Sequence, residues 1–189
     1  MRDAETTIGN LADKQTVAFI GAADEEGFPV VKAMLAPRKR EGIKVFYFTT
    51  NTSSRHTAQY RENPKACIYF CDRRFFRGAM LKGTMEILED SESKEMIWRE
   101  GDTMYYPGGV TDPDYCVMRF TAVSGRFYSN FHSEDFEVSA ENTLCRRYVI
   151  RHLWGGVRDL RKAWSLSAFA GQRPFFDQKD RSQTQRAGR

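Results

Sequence analysis

The chain of 189 residues carries 29 lysines and arginines against 25 acidic residues, and 41% of its residues are hydrophobic. Its length suits one globular domain with an appendage, and its composition excludes collagen-like, coiled-coil and wholly disordered chains. No stretch approaches the roughly 18 uninterrupted apolar residues of a membrane span, and the first residues lack the apolar core of a signal peptide. We therefore expect a cytoplasmic protein.

Charge is distributed unevenly along the chain. Residues 1–138 carry 18 basic and 21 acidic side chains, whereas residues 139–189 carry 11 and 4. We predict a folded domain over residues 1–138 and a basic C-terminal tail over 139–189 that is partly helical or disordered. The tail's short basic helix either packs on the domain as an accessory or contacts a partner. The acidic domain disfavours nucleic acid, and we expect no membrane partner.

The domain is predicted to be mainly β. Runs of β-branched and aromatic residues alternate with glycine, proline and asparagine at a spacing typical of hairpins. The predicted strands cover residues 16–23, 30–35, 44–50, 66–71, 79–88, 115–123 and 125–131. Six or seven strands this close together predict a small antiparallel barrel.

Two short helices are predicted between the strands. Residues 51–54 offer N-caps for a helix over 55–62, which ends at Asn63 because a residue before proline avoids the α conformation. Asp90 opens the second helix, over 90–100, and acidic residues in its first turn suit the helix dipole. Turns or loops are predicted at residues 38–42, 105–111 and 112–114.

The cysteines and histidines show no pattern of a metal or hydrolytic site. Cys67 and Cys71 are separated by three residues rather than two, and no histidine lies at ligand spacing from them. The four cysteines are interpreted as free core thiols. The three histidines do not combine with a serine or cysteine and an acid in a recognisable order, so no metal site and no catalytic residue is predicted.

The clearest chemical signal lies where the third strand leads into the first helix. Free backbone N–H groups and the positive end of the helix dipole attract an anion at such a point. Ser53 and Ser54 can donate hydrogen bonds from their hydroxyl groups. The guanidinium of Arg55 can donate two parallel charge-assisted hydrogen bonds. Lys32, on a neighbouring strand, adds a second positive charge. The pattern predicts a phosphate site, and its alternative is ordinary capping by the serines with Arg55 in solvent.

The same segment resembles the flavin-binding signature of the pyridoxamine 5′-phosphate oxidase-like split-barrel superfamily. In that signature an aromatic strand ending in Thr-Asn is followed by Ser-Arg-Lys, a helix and Asn-Pro. Thr50-Asn51, Ser54-Arg55 and Asn63-Pro64 fall in register with it. Residues 105–115 and 125–131 are similar to the general stress protein branch of the superfamily, and the resemblance covers residues 1–138.

The resemblance implies a six-stranded antiparallel split β-barrel with short helices, in which a homodimer binds FMN in clefts at its interface. Carried over by position, Lys32, Ser54 and Arg55 contact the FMN phosphate, and Thr49 and Thr50 lie beside the ring and ribityl chain. Further candidates near the flavin, from the same or the other subunit, are Gln59, Phe127 and Tyr128.

Two departures from the superfamily pattern bear on function. His56 replaces the lysine of Ser-Arg-Lys. Histidine keeps a hydrogen-bond donor at this position but can lose its positive charge near neutral pH. The oxidase's Arg-Leu-x-Pro substrate motif is absent, so oxidation of pyridoxamine phosphate is not expected. The resemblance implies an FMN-dependent oxidoreductase acting on a small molecule. The alternatives are a non-catalytic flavin-binding or stress-response protein, and a split barrel that uses deazaflavin or haem.

Overall fold

The computed structural model describes residues 3–129 and 131–138 of the chain. These residues form eight strands, three α-helices and two short 3₁₀ helices. The strands are β1 (Val17–Ala23), β2 (Pro29–Leu35), β3 (Lys39–Glu41), β4 (Val45–Asn51), β5 (Lys65–Asp72), β6 (Arg77–Leu88), β7 (Tyr115–Ser129) and β8 (His132–Glu137). The α-helices are α1 (Ala4–Asp13), α2 (Arg55–Glu62) and α3 (Ser91–Ile97), and the 3₁₀ helices cover Glu100–Met104 and Gly109–Thr111.

The strands form one antiparallel sheet in the order β2-β1-β5-β6-β7-β4-β3. β7 is long enough to pair with β6 along one edge and with both β4 and β8 along the other. The mainly β, antiparallel fold with short helices predicted from the sequence is therefore confirmed, with eight strands among the described residues instead of six or seven.

The barrel core consists of the inward-facing residues of the central strands. Ile20 of β1, Phe46 of β4, Phe70 of β5 and Phe120 of β7 are fully buried. Helix α2 closes this core because Tyr60 is buried against it and donates its hydroxyl hydrogen bond to the carbonyl oxygen of Gly21, at 3.2 Å. The start of α2 is thereby fixed relative to β1.

Helix α1 and strand β3 are among the elements that were not predicted from the sequence. Helix α1 is capped by Asp3, whose carboxylate accepts a hydrogen bond from the Thr6 N–H at 2.7 Å. The predicted turn at residues 38–42 contains strand β3, which pairs with β4. Arg40 of β3 donates to both carboxylate oxygens of Asp13 at 2.7 Å, so α1 holds this edge of the sheet.

The predicted boundary between the last two strands is wrong. Gly125 lies inside β7, and the hairpin turn falls after Ser129 instead. A side chain at position 125 would meet the Phe136 ring and the Met80 carbonyl oxygen, the latter at 2.7 Å. Glycine is needed there for close packing rather than for a turn. The predicted tail over residues 139–189, and with it the domain boundary, lies outside the described residues.

Replacing Gly83 with alanine is expected to destabilise the sheet. Gly83 lies at the β-bulge between β6 and β7, and an added Cβ would overlap the backbone carbonyl oxygen of Thr121. We expect Gly83→Ala to lower the free energy of unfolding by about 1 to 3 kcal/mol, as in other overpacked sites. The matched control is Gly101→Ala, where no atom lies within 4 Å of the added Cβ. Urea denaturation of both variants measures the difference, and equal midpoints would contradict the packing assignment.

Candidate functional site

The candidate site begins where β4 passes into α2. Asn51 ends the strand, and its carbonyl oxygen accepts hydrogen bonds from the Ser54 N–H and the Thr57 hydroxyl, at 3.0 and 2.9 Å. Ser54 is the N-cap residue in an extended conformation, but its hydroxyl makes no capping hydrogen bond. Arg55 is the first helical residue and is exposed. Thus Ser54 and Arg55 both lie at the open end of the helix, as predicted.

Asp114, in the loop before β7, holds the turn that precedes α2. Its carboxylate accepts hydrogen bonds from the Ser53 N–H at 2.8 Å and the Asn51 side-chain amide at 2.6 Å. These bonds keep the pKa of Asp114 below its usual range, the bond from Asn51 contributing most. The Asp114 carbonyl oxygen also accepts from the Thr52 N–H at 2.8 Å. Because Asp114 is already bonded in this way, it defines the shape of the turn.

His56 is affected by both positive charges that the sequence singled out. Burial lowers the pKa of His56, and the charges of Lys32 and Arg55 lower it further. Its Nε2 atom is buried and has no hydrogen-bond partner. Among the described residues, neither Lys32 nor Arg55 forms an ion pair with a carboxylate. The structure therefore brings three nitrogen-bearing side chains together without a counter-charge.

A pocket of about 210 Å³ lies along β2 and the end of β4, and Lys32 is the member of this group that lines it. Lys32, Thr49 and Thr50 all line it, so three of the predicted site residues share one cavity. Tyr105 and Tyr106, from the loop after the first 3₁₀ helix, line it as well. The sequence predicted a loop there, and the structure makes part of that loop a wall of the pocket.

An ion pair fixes that tyrosine wall. Arg38 lines the pocket and donates to Asp102, which is only 2% exposed, at 2.5 Å. The backbone carbonyl oxygen of Asp102 accepts hydrogen bonds from the N–H groups of Tyr105 and Tyr106, both at 2.9 Å. Burial raises the pKa of Tyr106 to about 12, so its hydroxyl stays protonated near neutral pH. The hydroxyl is thus a hydrogen-bond donor and not a base.

Gln59 and Tyr128 lie in different surroundings. Gln59 is 7% exposed, lies one helical turn after Arg55, and its side-chain oxygen has no hydrogen-bond partner. Tyr128 pairs with Gly78 near the far end of β7, whereas Thr49 pairs with Val117 near its start. Tyr128 lies eleven residues after Val117 on β7, a distance of roughly 35 Å along the strand. Within one chain, Tyr128 and its neighbour Phe127 are therefore not brought to the pocket.

Comparison with known proteins identifies the fold family. The family model of pyridoxamine 5′-phosphate oxidase matches residues 6–129, which contain most of α1, the pocket and all of β7. The chain belongs to the pyridoxamine 5′-phosphate oxidase family. No curated protein matches the chain.

Solved structures agree with this assignment. A Clostridium acetobutylicum protein of the pyridoxinephosphate oxidase family, related to general stress protein 26 of B. subtilis, is 40% identical, with a TM-score of 0.66. The match covers 70% of this chain and 93% of that protein. General stress protein 26 of Bacillus anthracis, at 16% identity, has a TM-score of 0.59 over 71% of this chain and 98% of its own.

A NimC/NimA family protein from Clostridium acetobutylicum is also similar in fold. It is 21% identical, with a TM-score of 0.56, and the match covers 71% of this chain and 92% of that protein. The resemblance to the oxidase-like superfamily that the sequence indicated is confirmed. No helix in the described part of this family member is long and apolar enough to cross a membrane.

Sequence reasoning missed Arg38, Asp102 and Asp114, which shape this site of the oxidase family member. Asp114 was predicted only as part of a turn, and Arg38 only as part of a charged turn. The Asp-Pro-Asp motif at residues 112–114 carried a usable signal, because aspartates often accept backbone hydrogen bonds in turns. Nothing in the sequence indicates that Asp114 faces a turn 61 residues earlier in the chain.

Replacing Asp114 with alanine is expected to loosen the turn before α2. The Ser53 N–H loses its acceptor, so its amide proton should exchange with solvent faster than in the unaltered chain. The Thr52 N–H, which donates to the backbone of residue 114, is the internal reference and should change less. Amide hydrogen exchange followed by NMR measures both. Unchanged exchange at Ser53 would show that Asp114 does not hold the turn.

Proposed function

We propose that this protein binds FMN at the start of α2 and in the adjoining pocket, and acts as an FMN-dependent oxidoreductase on a small molecule. The observation that carries the proposal is the convergence of Lys32, Arg55 and His56 without a carboxylate partner among the described residues. Lys32 and Arg55 carry like charges and His56 is an unpaired donor, so a bound anion would stabilise the group. A phosphate ester at a helix start meets that need.

The residues present fit the parts of FMN. Arg55 and the free hydroxyl of Ser54 would hold the phosphate together with Lys32. Thr49 and Thr50 would contact the ribityl chain and the edge of the ring, because they lie on the strand that leads from the phosphate site into the pocket. Gln59 offers an unpartnered buried oxygen to a donor on the ligand.

FMN supplies hydride and electron transfer when it is bound, and the protein supplies position and shielding. Arg38 and Asp102 keep Tyr105 and Tyr106 at the pocket wall, where aromatic side chains cover one side of the cavity. The Tyr106 hydroxyl, protonated near neutral pH, can donate a hydrogen bond to a ligand. No side chain in the pocket has to act as an acid or base for this chemistry.

Oxidation of pyridoxamine phosphate is not part of the proposal, because the Arg-Leu-x-Pro motif is absent from the sequence. An oxidoreductase should oxidise a nicotinamide donor through its FMN and pass the electrons to an acceptor over many cycles. A flavin-binding protein without catalytic function should hold FMN and show no such turnover. Stopped-flow measurement of flavin reduction and reoxidation separates these two outcomes.

Replacing Arg55 with alanine is expected to weaken FMN binding. Loss of one charge-assisted contact costs about 1 to 3 kcal/mol, a five- to 150-fold increase in the dissociation constant. The matched control is Arg61→Ala on the same helix, since Arg61 pairs with Glu89 rather than with the site. Quenching of FMN fluorescence on titration measures both variants. Equal effects of the two substitutions would remove Arg55 from the site.

We also propose that the protein is a homodimer, joined through the outer face of β2, β1 and β5. Cross-strand partners place large apolar side chains together on this face, and all of them are exposed in the single chain: Val17, Phe19, Val31, Leu35 and Tyr69. A contiguous exposed apolar patch of this kind is typical of a contact between proteins. In such a dimer the partner's end of β7 could supply the aromatic that one chain does not bring to its own pocket.

Charging this face is expected to dissociate the dimer. Val31 and Leu35 are 67% and 58% exposed, so lysines at both positions should leave the fold of one chain intact. We expect Val31→Lys/Leu35→Lys to sediment with the 21.8 kDa mass of one chain and the unaltered protein with twice that mass. Val123→Lys, at a position that is 57% exposed on β7, is the control and should remain dimeric. A monomeric unaltered protein would contradict the proposal.

A further inference from the structure

The Nε2 atom of His56 is a buried polar atom of the site. It makes no hydrogen bond to any residue that the structure describes. Buried side-chain nitrogens in folded proteins normally make a hydrogen bond. One without a partner has lost its contact with water and gained no hydrogen bond in exchange. An unpaired nitrogen of this kind is suited to a ligand that the described residues do not provide.

The groups that act on His56, and the carboxylate of the turn before its helix, offer it no partner. Lys32 from β2 and Arg55 from its own helix are both cations. The Tyr60 ring lies 6.1 Å away, centroid to centroid, and its hydroxyl is already donated to Gly21. Asp114, the carboxylate that holds the preceding turn, accepts from Ser53 and Asn51. No free acid among these residues can neutralise a charged imidazole.

Without a ligand, the imidazole of His56 is therefore neutral near neutral pH. Burial disfavours its charged form most, and the two neighbouring cations disfavour it further. A phosphate dianion bound between Lys32 and Arg55 would reverse this balance, because a protonated imidazole could donate Nε2–H to a phosphate oxygen.

We propose that His56 is a third ligand of the phosphate anion bound at the start of α2, and that it takes up one proton from solvent when the anion binds. The proposal rests on the proposed function, since FMN is the phosphate ester expected at this site. The proton goes to the imidazole, and no covalent bond to the ligand forms or breaks. A lysine at position 56 would already be charged and would bind the same anion without taking up a proton.

Proton uptake can be measured by calorimetric titration of FMN into the full chain in two buffers with different ionisation enthalpies. At about pH 7.5 FMN is mostly dianionic, because the second pKa of a phosphate ester is about 6. We expect the unaltered chain to take up close to one proton for each FMN bound. His56→Lys should bind FMN with little or no proton uptake, and His56→Gln should bind more weakly and also without uptake.

The dissociation constant provides a second readout. Uptake of one proton makes the dissociation constant of the unaltered chain rise up to tenfold for each pH unit, from about pH 7 to 8. His56→Lys keeps every other titrating group, so its dissociation constant should stay nearly constant over that interval. Equal pH slopes in the two proteins, together with no proton uptake by the unaltered chain, would overturn the proposal.

Inorganic phosphate, titrated in parallel, separates this proposal from the proposed function. Uptake of a proton with phosphate but no binding of FMN would support the role of His56 and contradict FMN as the cofactor. Tight FMN binding without proton uptake would support the cofactor and contradict the role of His56. Binding of neither probe would contradict both.

Discussion

The site depends on two cations, Lys32 and Arg55, that act on the neutral imidazole of His56 without an acidic partner among the described residues. These side chains come from two elements and lie close together without an acidic partner among the described residues. Hydrogen bonds made by other residues hold Arg55 and His56 in place. Asp114 fixes the turn before α2, and Tyr60 fixes α2 on β1. Such a group is stable because the rest of the fold determines its position, and it gains further stability from an anion.

The pocket and the cationic group form one site because of the pairing of β4 with β7. This register places Asn51 opposite Tyr115, directly after the Asp114 loop, while Thr49 and Thr50 face the cavity. The ion pair of Arg38 and Asp102 then closes the opposite wall with two tyrosines. One strand thus leads from the start of α2 to the tyrosine wall, an arrangement that would suit the phosphate and the planar ring of the proposed FMN.

Much of the fold and part of the site could be predicted from the sequence. Strand alternation and the Asn-Pro stop of α2 are local signals, and the order Thr50-Asn51, Ser54-Arg55, Asn63-Pro64 identified the family. Strand β3 and the continuity of β7 through Gly125 depend instead on packing against Asp13 and Phe136, which no local pattern reports. The role of Asp114 likewise depends on a contact across 61 residues.

The most direct test of the account compares FMN with riboflavin, which has the same ring and ribityl chain but lacks the phosphate. Both ligands are titrated into the full chain and followed by the change in visible absorption. If the start of α2 is a phosphate site with several charge-assisted contacts, FMN should bind at least roughly a hundredfold more tightly. Equal affinities for the two ligands would show that the cationic group does not hold the phosphate, and would contradict the account.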